Sequence, residues 1–370
     1  MASPIAPRRH FLAALLAAGL PGAAWPLPPA ALRFPRDLGS HPDFGTEWWY
    51  ITGRVMAASG GAPAREFGFQ LTFFRSRVDA TQSMTSAFAA RQLLSAHAAL
   101  TDVQGARLWH DQRIARAGFG VAEASETDTR LRLRDWSLSR EDASAAAGQT
   151  MVSTYTAVLP SQDFGLQLTL AATQPLLLQG REGLSRKGPQ PEQASYYVSQ
   201  PQLAVRGAVL LKGKRFDIAE GRAWLDHEWS QALLHQDAVG WDWIGMNLDD
   251  GSALTAFHLR RADGSALWGG GSFRAADGRL RAFEPGEVAF EPLRHWTSPA
   301  SQARYPVETR VRTPAGTFTV RAVVDDQELD SRASTGAIYW EGLSELRDAA
   351  GRLVGRGYLE MTGYAQRLKL

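Results

Sequence analysis

Along most of the chain, apolar and polar residues alternate one for one. Phe67, Phe69, Leu71 and Phe73 alternate with Gly68, Gln70 and Thr72; Leu131 and Leu133 fall between Arg130, Arg132 and Arg134. Leu166, Leu168 and Leu170 enclose Gln167 and Thr169, and Phe318, Val320 and Ala322 follow Thr317, Thr319 and Arg321 in the same rhythm. Successive side chains of a strand point to opposite faces, so this pattern predicts half-buried antiparallel strands. Turn signals separate them: Ser59-Gly60-Gly61, Asp250-Gly251, Asp263-Gly264, Asp277-Gly278 and Ala350-Gly351. Helical periodicity is weak. Residues 81–94 are the best candidate for a helix or a mobile loop, and residues 189–194 read as a loop. Gly269-Gly270-Gly271 lacks the Lys-Ser/Thr of a phosphate-binding loop and reads as a plain loop.

The pattern occurs twice. Glu47-Trp48-Trp49-Tyr50-Ile51 opens a stretch that ends in Leu71-Thr72-Phe73-Phe74-Arg75. Gly240-Trp241-Asp242-Trp243-Ile244 opens one that ends in Ala256-Phe257-His258-Leu259-Arg260. The closing segments also match position by position: Gly221-Arg222-Ala223-Trp224-Leu225-Asp226 and Gly355-Arg356-Gly357-Tyr358-Leu359-Glu360. The chain therefore reads as all-β, with two copies of one unit over 40–230 and 231–370. Each copy suits a barrel of about eight strands, which can hold one small ligand, or a strongly curved sheet.

Composition narrows the function. The chain has 370 residues, 44% of them hydrophobic, which suits two domains with sizeable cores. Twelve Trp point to packed β-cores or a ring-lined pocket. The absence of Cys excludes disulfides and thiolate chemistry. Residues 1–24 read as an export signal: Arg8-Arg9 without an acid, an apolar run from Phe11 to Leu20, then Gly22-Ala23-Ala24. Arg8-Arg9-His10-Phe11-Leu12 matches the twin-arginine form; an ordinary secretory signal is the alternative. A Pro-rich lead-in follows over 25–39. Removal of residues 1–24 leaves Lys+Arg and Asp+Glu balanced, so no basic stripe suggests a nucleic-acid partner. No later run approaches the ~20 apolar residues of a transmembrane helix. The expectation is a periplasmic or secreted protein with at most a peripheral contact to a membrane surface.

Longer motifs resemble a known family. His41-Pro42-Asp43-Phe44-Gly45-Thr46-Glu47-Trp48-Trp49-Tyr50-Ile51-Thr52-Gly53 and Phe67 to Arg75 are similar to the AttH/CrtC-type lipocalin-like family. So are Ala223-Trp224-Leu225-Asp226-His227-Glu228-Trp229-Ser230, Gly240 to Trp243, and Tyr358 to Tyr364. That family holds the carotenoid 1,2-hydratases (hydroxyneurosporene synthases) and many proteins labelled secreted hydrolases. The resemblance spans essentially the whole mature chain and implies two consecutive lipocalin-like antiparallel β-barrel domains. Fold alone leaves activity open.

The densest polar cluster is Asp226-His227-Glu228-Trp229. On a strand, Asp226 and Glu228 share one face, and Leu225, His227 and Trp229 the other. The hydratase branch implies catalytic roles for His227 and Trp229. It also uses a Tyr and an Asp farther along; Asp242 is the candidate for the Asp. Water addition to an alkene needs an acid to protonate carbon, an aromatic face for the cation, and a base for the proton of the added water. Asp226, His227, Glu228, Trp229 and Asp242 are thus the catalytic candidates. The alternative makes His227 a hydrogen-bonded interior residue and Trp229 a core or interdomain plug.

Ligand-contacting candidates are Glu47, Trp49, Gln70, Arg75, His97 and Trp243. The alternative for the polar ones is a hydrogen bond or ion pair that closes a barrel. Glu341, Glu360 and Tyr364 read as structural counterparts in the second half. No clustered ligand triad or Gly-x-Ser-x-Gly elbow occurs in the sequence, so neither a metal, a cofactor nor a catalytic serine is expected. Two functions remain open. One is an exported carrier of a hydrophobic small molecule of isoprenoid or lipid class. The other is an acid–base enzyme of the carotenoid 1,2-hydratase type, or a related hydrolase-like activity on an apolar substrate.

Overall fold

The structure, a computed structural model, describes residues 27–143, 152–231 and 234–368. The export signal expected over 1–24 lies outside the described residues. Two antiparallel sheets account for nearly all the regular structure, in line with the period-two pattern. No α-helix forms among the described residues, only short 3-10 turns at Arg36–Leu38 and Asp79–Thr81. Among the described residues no helix is long and apolar enough to cross a membrane.

The first sheet has 13 strands between Thr46 and Ser230, and the second has 10 between Gly240 and Met361. The first curls until Arg130–Leu133, near one edge, touches Gln92–Asp102 and Arg107–Arg116 at the other. This nearly closed barrel and its partner are lipocalin-like.

The repeat seen in the sequence is a repeat of register. In the first barrel the opening strand Thr46–Ala58 pairs with the closing strand Lys214–Ser230, placing Tyr50 opposite Asp226. In the second, Gly240–Leu248 pairs with Leu353–Met361, placing Trp243 opposite Glu360. Glu47 lies across from Arg75, and Gly240 from Arg260.

Side chains fill the barrel interiors. Trp49, Phe67, Phe69, Phe73, Trp136 and Tyr155 are at most 1% exposed in the first. Trp340, Tyr305, Ile244, Met246 and Leu359 fill the second. Burial of each such side chain contributes about 1.5–3 kcal/mol. The cavity that the sequence allowed inside each barrel is therefore occupied by the protein's own rings.

The outer faces of the central strands are buried too, because the barrels pack on each other. Tyr50, Trp224, Trp243, Phe257, Leu343 and Tyr358 form an apolar cluster between them. Thr101 Oγ1 donates to Gln327 Oε1 at 2.8 Å, and Ser272 Oγ to Gln179 Oε1 at 2.8 Å.

Two local expectations change. Residues 81–94 are not a helix: turns follow Asp79–Thr81, and strand Gln92–Asp102 begins before the segment ends. Gly269, Gly270 and Gly271 lie within strand Ala266–Arg274 rather than a loop. They sit opposite His258, Phe257 and Ala256. Gly271 has φ +150°, and a Cβ there would lie 2.2 Å from Thr255 O. Only glycine fits such a contact in such a conformation. Gly271→Ala is expected to destabilise the fold by at least about 2 kcal/mol in chemical denaturation. An unchanged midpoint would contradict this packing.

Candidate functional site

Alternation divides the Asp226-His227-Glu228-Trp229 segment between two environments. His227 and Trp229 point into the first barrel, and Asp226 and Glu228 toward the second. The inward pair joins a sealed network around Glu47. Its carboxylate accepts from Ser40 Oγ (2.9 Å), His41 N (2.9 Å) and Arg75 Nε (3.0 Å), and meets His41 Nδ1 (2.8 Å) and His227 Nε2 (2.9 Å). Arg75 also donates to the carbonyls of His41 and Phe44. The rings stack: His227 on Trp49 at 4.5 Å, and His41 on Trp229 at 3.9 Å.

Burial alone would raise the Glu47 pKa. Hydrogen bonds from His227 and His41, with the charges of His227 and Arg75, more than offset it and hold the carboxyl well below the usual range. Burial pushes the His227 pKa down, with Glu47 opposing. The sequence offered no ligand cluster, yet folding brings His41, Glu47 and His227 donor atoms within 4.8 Å of one another. Arg75 holds a fixed positive charge on the same carboxylate, so the donor set suits an ion-pair latch better than a cation site.

Asp242 closes the second barrel in a similar way. It accepts from Arg260 Nε (3.1 Å) and Tyr364 Oη (3.1 Å) and meets His258 Nε2 at 2.6 Å. Burial raises its pKa, but Arg260 and His258 outweigh burial and keep it low. Arg260 also lies 3.7 Å over the Tyr364 ring. Asp242 is thus remote in role and direction from Asp226.

The interface between the barrels holds acids of another kind. Asp226 accepts from Tyr197 Oη (2.6 Å), Ser199 Oγ (2.6 Å) and Trp224 Nε1 (2.7 Å). Glu228 accepts from Ser195 Oγ at 2.5 Å and pairs with the buried Lys187 Nζ at 3.0 Å. Lys187 lies over the rings of Tyr197 (4.5 Å) and Phe257 (4.3 Å). Trp243 donates to Tyr197 Oη at 3.1 Å and meets Tyr50 edge-on at 5.3 Å. From the second barrel come Glu341 and Glu360, cross-strand neighbours.

Among the described residues no arginine pairs with Asp226, Glu341 or Glu360; Arg356 pairs instead with Glu66 and Glu345. Desolvation raises Asp226 to about 7, despite three hydrogen bonds that pull the other way. Desolvation likewise raises the half-buried Glu360 to about 7, against a bond from Trp241 and helped by repulsion from Asp226, Glu228 and Asp242. Burial and the nearby Glu360 push Glu341 well above the carboxylate range. Tyr50, Tyr197, Tyr339 and Tyr358 are pushed up, first by burial, and stay protonated.

Beside these acids Tyr50 Oη, Gln70 Oε1 and Glu341 Oε1 are buried without a well-formed hydrogen bond, as His227 Nδ1 is in the Glu47 network. Tyr50 and Glu341 are near enough to shift each other's protonation. Gln70 Nε2 donates to Thr72. Buried polar groups are normally paired, so unpaired acceptors and donors such as these are where a polar guest or water would be bound.

His97 ties the barrels together beside this site, through Tyr339 Oη (2.8 Å) and Ser334 Oγ (2.8 Å). Burial lowers its pKa to about 3, so it is a neutral hydrogen-bonding link. A separate cleft of about 90 Å³ opens at another part of the interface, lined by Thr52, Arg54, Arg222, Trp224, Asn247 and Arg356. Trp224 lines that cleft and also donates to Asp226, so its ring stands between cleft and acids.

The structure thus sorts the sequence candidates into three places. His227, Trp229, Glu47, Trp49 and Arg75 seal the first barrel, and Asp242 the second. Asp226, Glu228, Trp243, Gln70 and His97 meet at the interface. Sequence reasoning passed over Tyr50, Lys187, Tyr197 and Tyr339, and read Glu341 and Glu360 as structural. The repeat itself carried a signal for one: Glu360 is the counterpart of Asp226.

Known proteins share this fold. The AttH-like family profile matches residues 26–364. A crystal structure of a candidate AttH from Nitrosomonas europaea is 45% identical, with a TM-score of 0.81, over 91% of this chain and 98% of that one. Kievitone hydratase from Nectria haematococca is 13% identical with a TM-score of 0.61, covering 93% of this chain and 94% of that one. CghA with Sch210972 reaches a TM-score of 0.50 at 12% identity, over 90% and 97%. No curated protein matches the sequence significantly. The two lipocalin-like barrels, their Trp-rich opening strands and the matched span agree, and the chain belongs to the AttH-like family.

Proposed function

We propose that the chain is an acid–base enzyme of hydro-lyase type that adds water to an alkene in the space between its two barrels. The observation that carries this reading is the set of unpaired Tyr50 Oη, Gln70 Oε1 and Glu341 Oε1 beside buried acids, Asp226 and Glu360 raised to about 7 and Glu341 raised well above the carboxylate range. An acid catalyst must hold its proton at working pH and part with it in the transition state, and a pKa near 7 suits both. Likeness to kievitone hydratase supports the reading at the level of fold only.

In this scheme a protonated Asp226 or Glu360 transfers its proton to one alkene carbon; the O–H bond breaks as the C–H bond forms. The adjacent carbon gains positive charge, facing the rings of Trp243, Tyr50 and Tyr197. Water attacks that carbon, and its surplus proton passes to the carboxylate left behind, restoring the acid. Apolar rings and uncharged acids favour an uncharged substrate. His227 and Trp229 act here through the barrel seal rather than by touching substrate. We further infer export by the twin-arginine signal of residues 1–24. A carrier that binds without turnover is the competing reading, and the filled barrel interiors leave it the same interdomain space.

Incubation of the protein with a panel of uncharged polyenes in oxygen-18 water, read by mass spectrometry, tests the proposal. Labelled hydrate is expected, with Asp226→Asn and Glu360→Gln each reducing turnover by about 10²–10⁴-fold. Ligand binding without labelled product across the panel would favour the carrier. His227→Gln is expected to lose stability, by about 3–5 kcal/mol if the latch breaks. Turnover per folded molecule is retained in that variant; a selective collapse of turnover with unchanged stability would return catalysis to His227.

Stability should also depend on pH through Asp226. Its carboxyl titrates near the ordinary value of 3.8 when unfolded and near about 7 when folded. Between these values the folded state binds more protons, so stability falls as pH rises from about 4 to about 7. Asp226→Asn is expected to flatten this slope by a few kcal/mol over that window, measured as denaturation midpoints against pH. An unchanged slope would show that Asp226 is ionised in the folded protein.

A further inference from the structure

We propose that two loop tips at one edge of the first barrel form a docking surface for an anionic lipid bilayer. Phe88, in the turn after Asp79–Thr81, is 73% exposed, and Phe119, in the turn after strand Arg107–Arg116, is 59% exposed. The two rings stack on each other at 5.5 Å with planes 9° apart. Met84, 48% exposed, lies in the same connection between strands as Phe88, in the preceding turn. These are the largest exposures among the bulky apolar residues described, tied with Leu280 for Met84, and two of the three belong to touching rings.

The backbone goes out of its way to present one of them. Phe119 has φ +57°, between Gly118 at +100° and Gly120 at +66°. A bulky residue in that region is a strained outlier, and the strain serves no core contact, because the ring faces outward.

Charge identifies the occupant. No acid falls between residues 80 and 101 or between 112 and 122, whereas Arg91, Arg113 and Arg116 do. Arg113 pairs with Asp111. Among the described residues Arg91 and Arg116 pair with no carboxylate. Arg91 Nη2 donates to Met84 O at 2.6 Å and Arg116 Nη1 to Phe88 O at 3.1 Å. The Arg116 guanidinium also lies 4.1 Å from the Phe119 ring centre and 5.4 Å from that of Phe88. Two guanidiniums without counter-charge are thus fixed beside exposed rings. Aromatic rings seat at the headgroup level of a bilayer while cations meet anionic headgroups, which is the combination this tip offers. An acidic protein surface would match the charges but not the protruding, mutually stacked rings.

The test is sedimentation of the full chain with vesicles of phosphatidylcholine alone or with about one-third phosphatidylglycerol. Binding is expected to the anionic vesicles, to weaken with added salt, and to fall by about tenfold or more in Phe88→Ser/Phe119→Ser and in Arg91→Gln/Arg116→Gln. Melting curves of both variants are expected to match the parent, since neither pair supports the core. No binding to the anionic vesicles, or equal binding by parent and variants, would overturn the proposal. So would a self-association, seen by light scattering, that the Phe variants abolish while vesicle binding is unaffected; that result would assign the patch to a second copy of the chain.

Discussion

Burial of carboxyl groups between two packed sheets is the constraint on which the rest of this molecule depends. Where the central strands meet, from Ala223 to Ser230 and their neighbours, one side lines a barrel and the other meets the second barrel. Each acid buried there must therefore find a cation or keep its proton. Glu47 and Asp242 have arginines at 3.0 and 3.1 Å and are held ionised. Among the described residues Asp226, Glu341 and Glu360 have none, and they are driven toward the neutral acid. One fold thus keeps two populations of carboxyl group apart by a few ångströms, using side-chain alternation along the same strands.

The duplication explains how both populations arose in equivalent places. Asp226 and Glu360 occupy matching positions beside Tyr50 and Trp243, which also match. The equivalent faces of the two barrels meet, so the two acids share one interface. The copies have diverged on the inward face. Trp49 corresponds to Asp242, so the first barrel uses Glu47 and stacked rings for closure where the second uses Asp242, His258 and Tyr364. Lys187 adds an asymmetric element, a single buried ammonium on Glu228 supplied by a chain segment outside the repeat pattern.

Much of the fold was legible in the sequence, because alternation and repeat report on strands directly. The split of Asp226 and Glu228 from His227 and Trp229 followed from the same rule. Which side held the chemistry did not follow. A polar residue on the outer face of a strand normally meets water, and nothing local announces that a second barrel covers it. Gln70 stood out as a polar residue on an aromatic strand and His97 as a histidine among small residues, whereas Tyr50, Tyr197 and Tyr339 passed as ordinary strand aromatics. Lys187 lies in a short loop-like stretch whose burial depends wholly on distant strands. The Gly269-Gly270-Gly271 run misled because close approach of a neighbouring strand, at Thr255, imitates the composition of a turn.

The central claim concerns protons, so the decisive measurement observes them. Carbon-13 NMR of selectively labelled Asp and Glu carboxyls, with Asp226 and Glu360 assigned by single substitutions, reads each protonation state as pH changes. Titration of both groups with midpoints near about 7 is the predicted result. Midpoints near the ordinary carboxylate value of about 4 would contradict the account, since the interface would then hold bare anions and no acid.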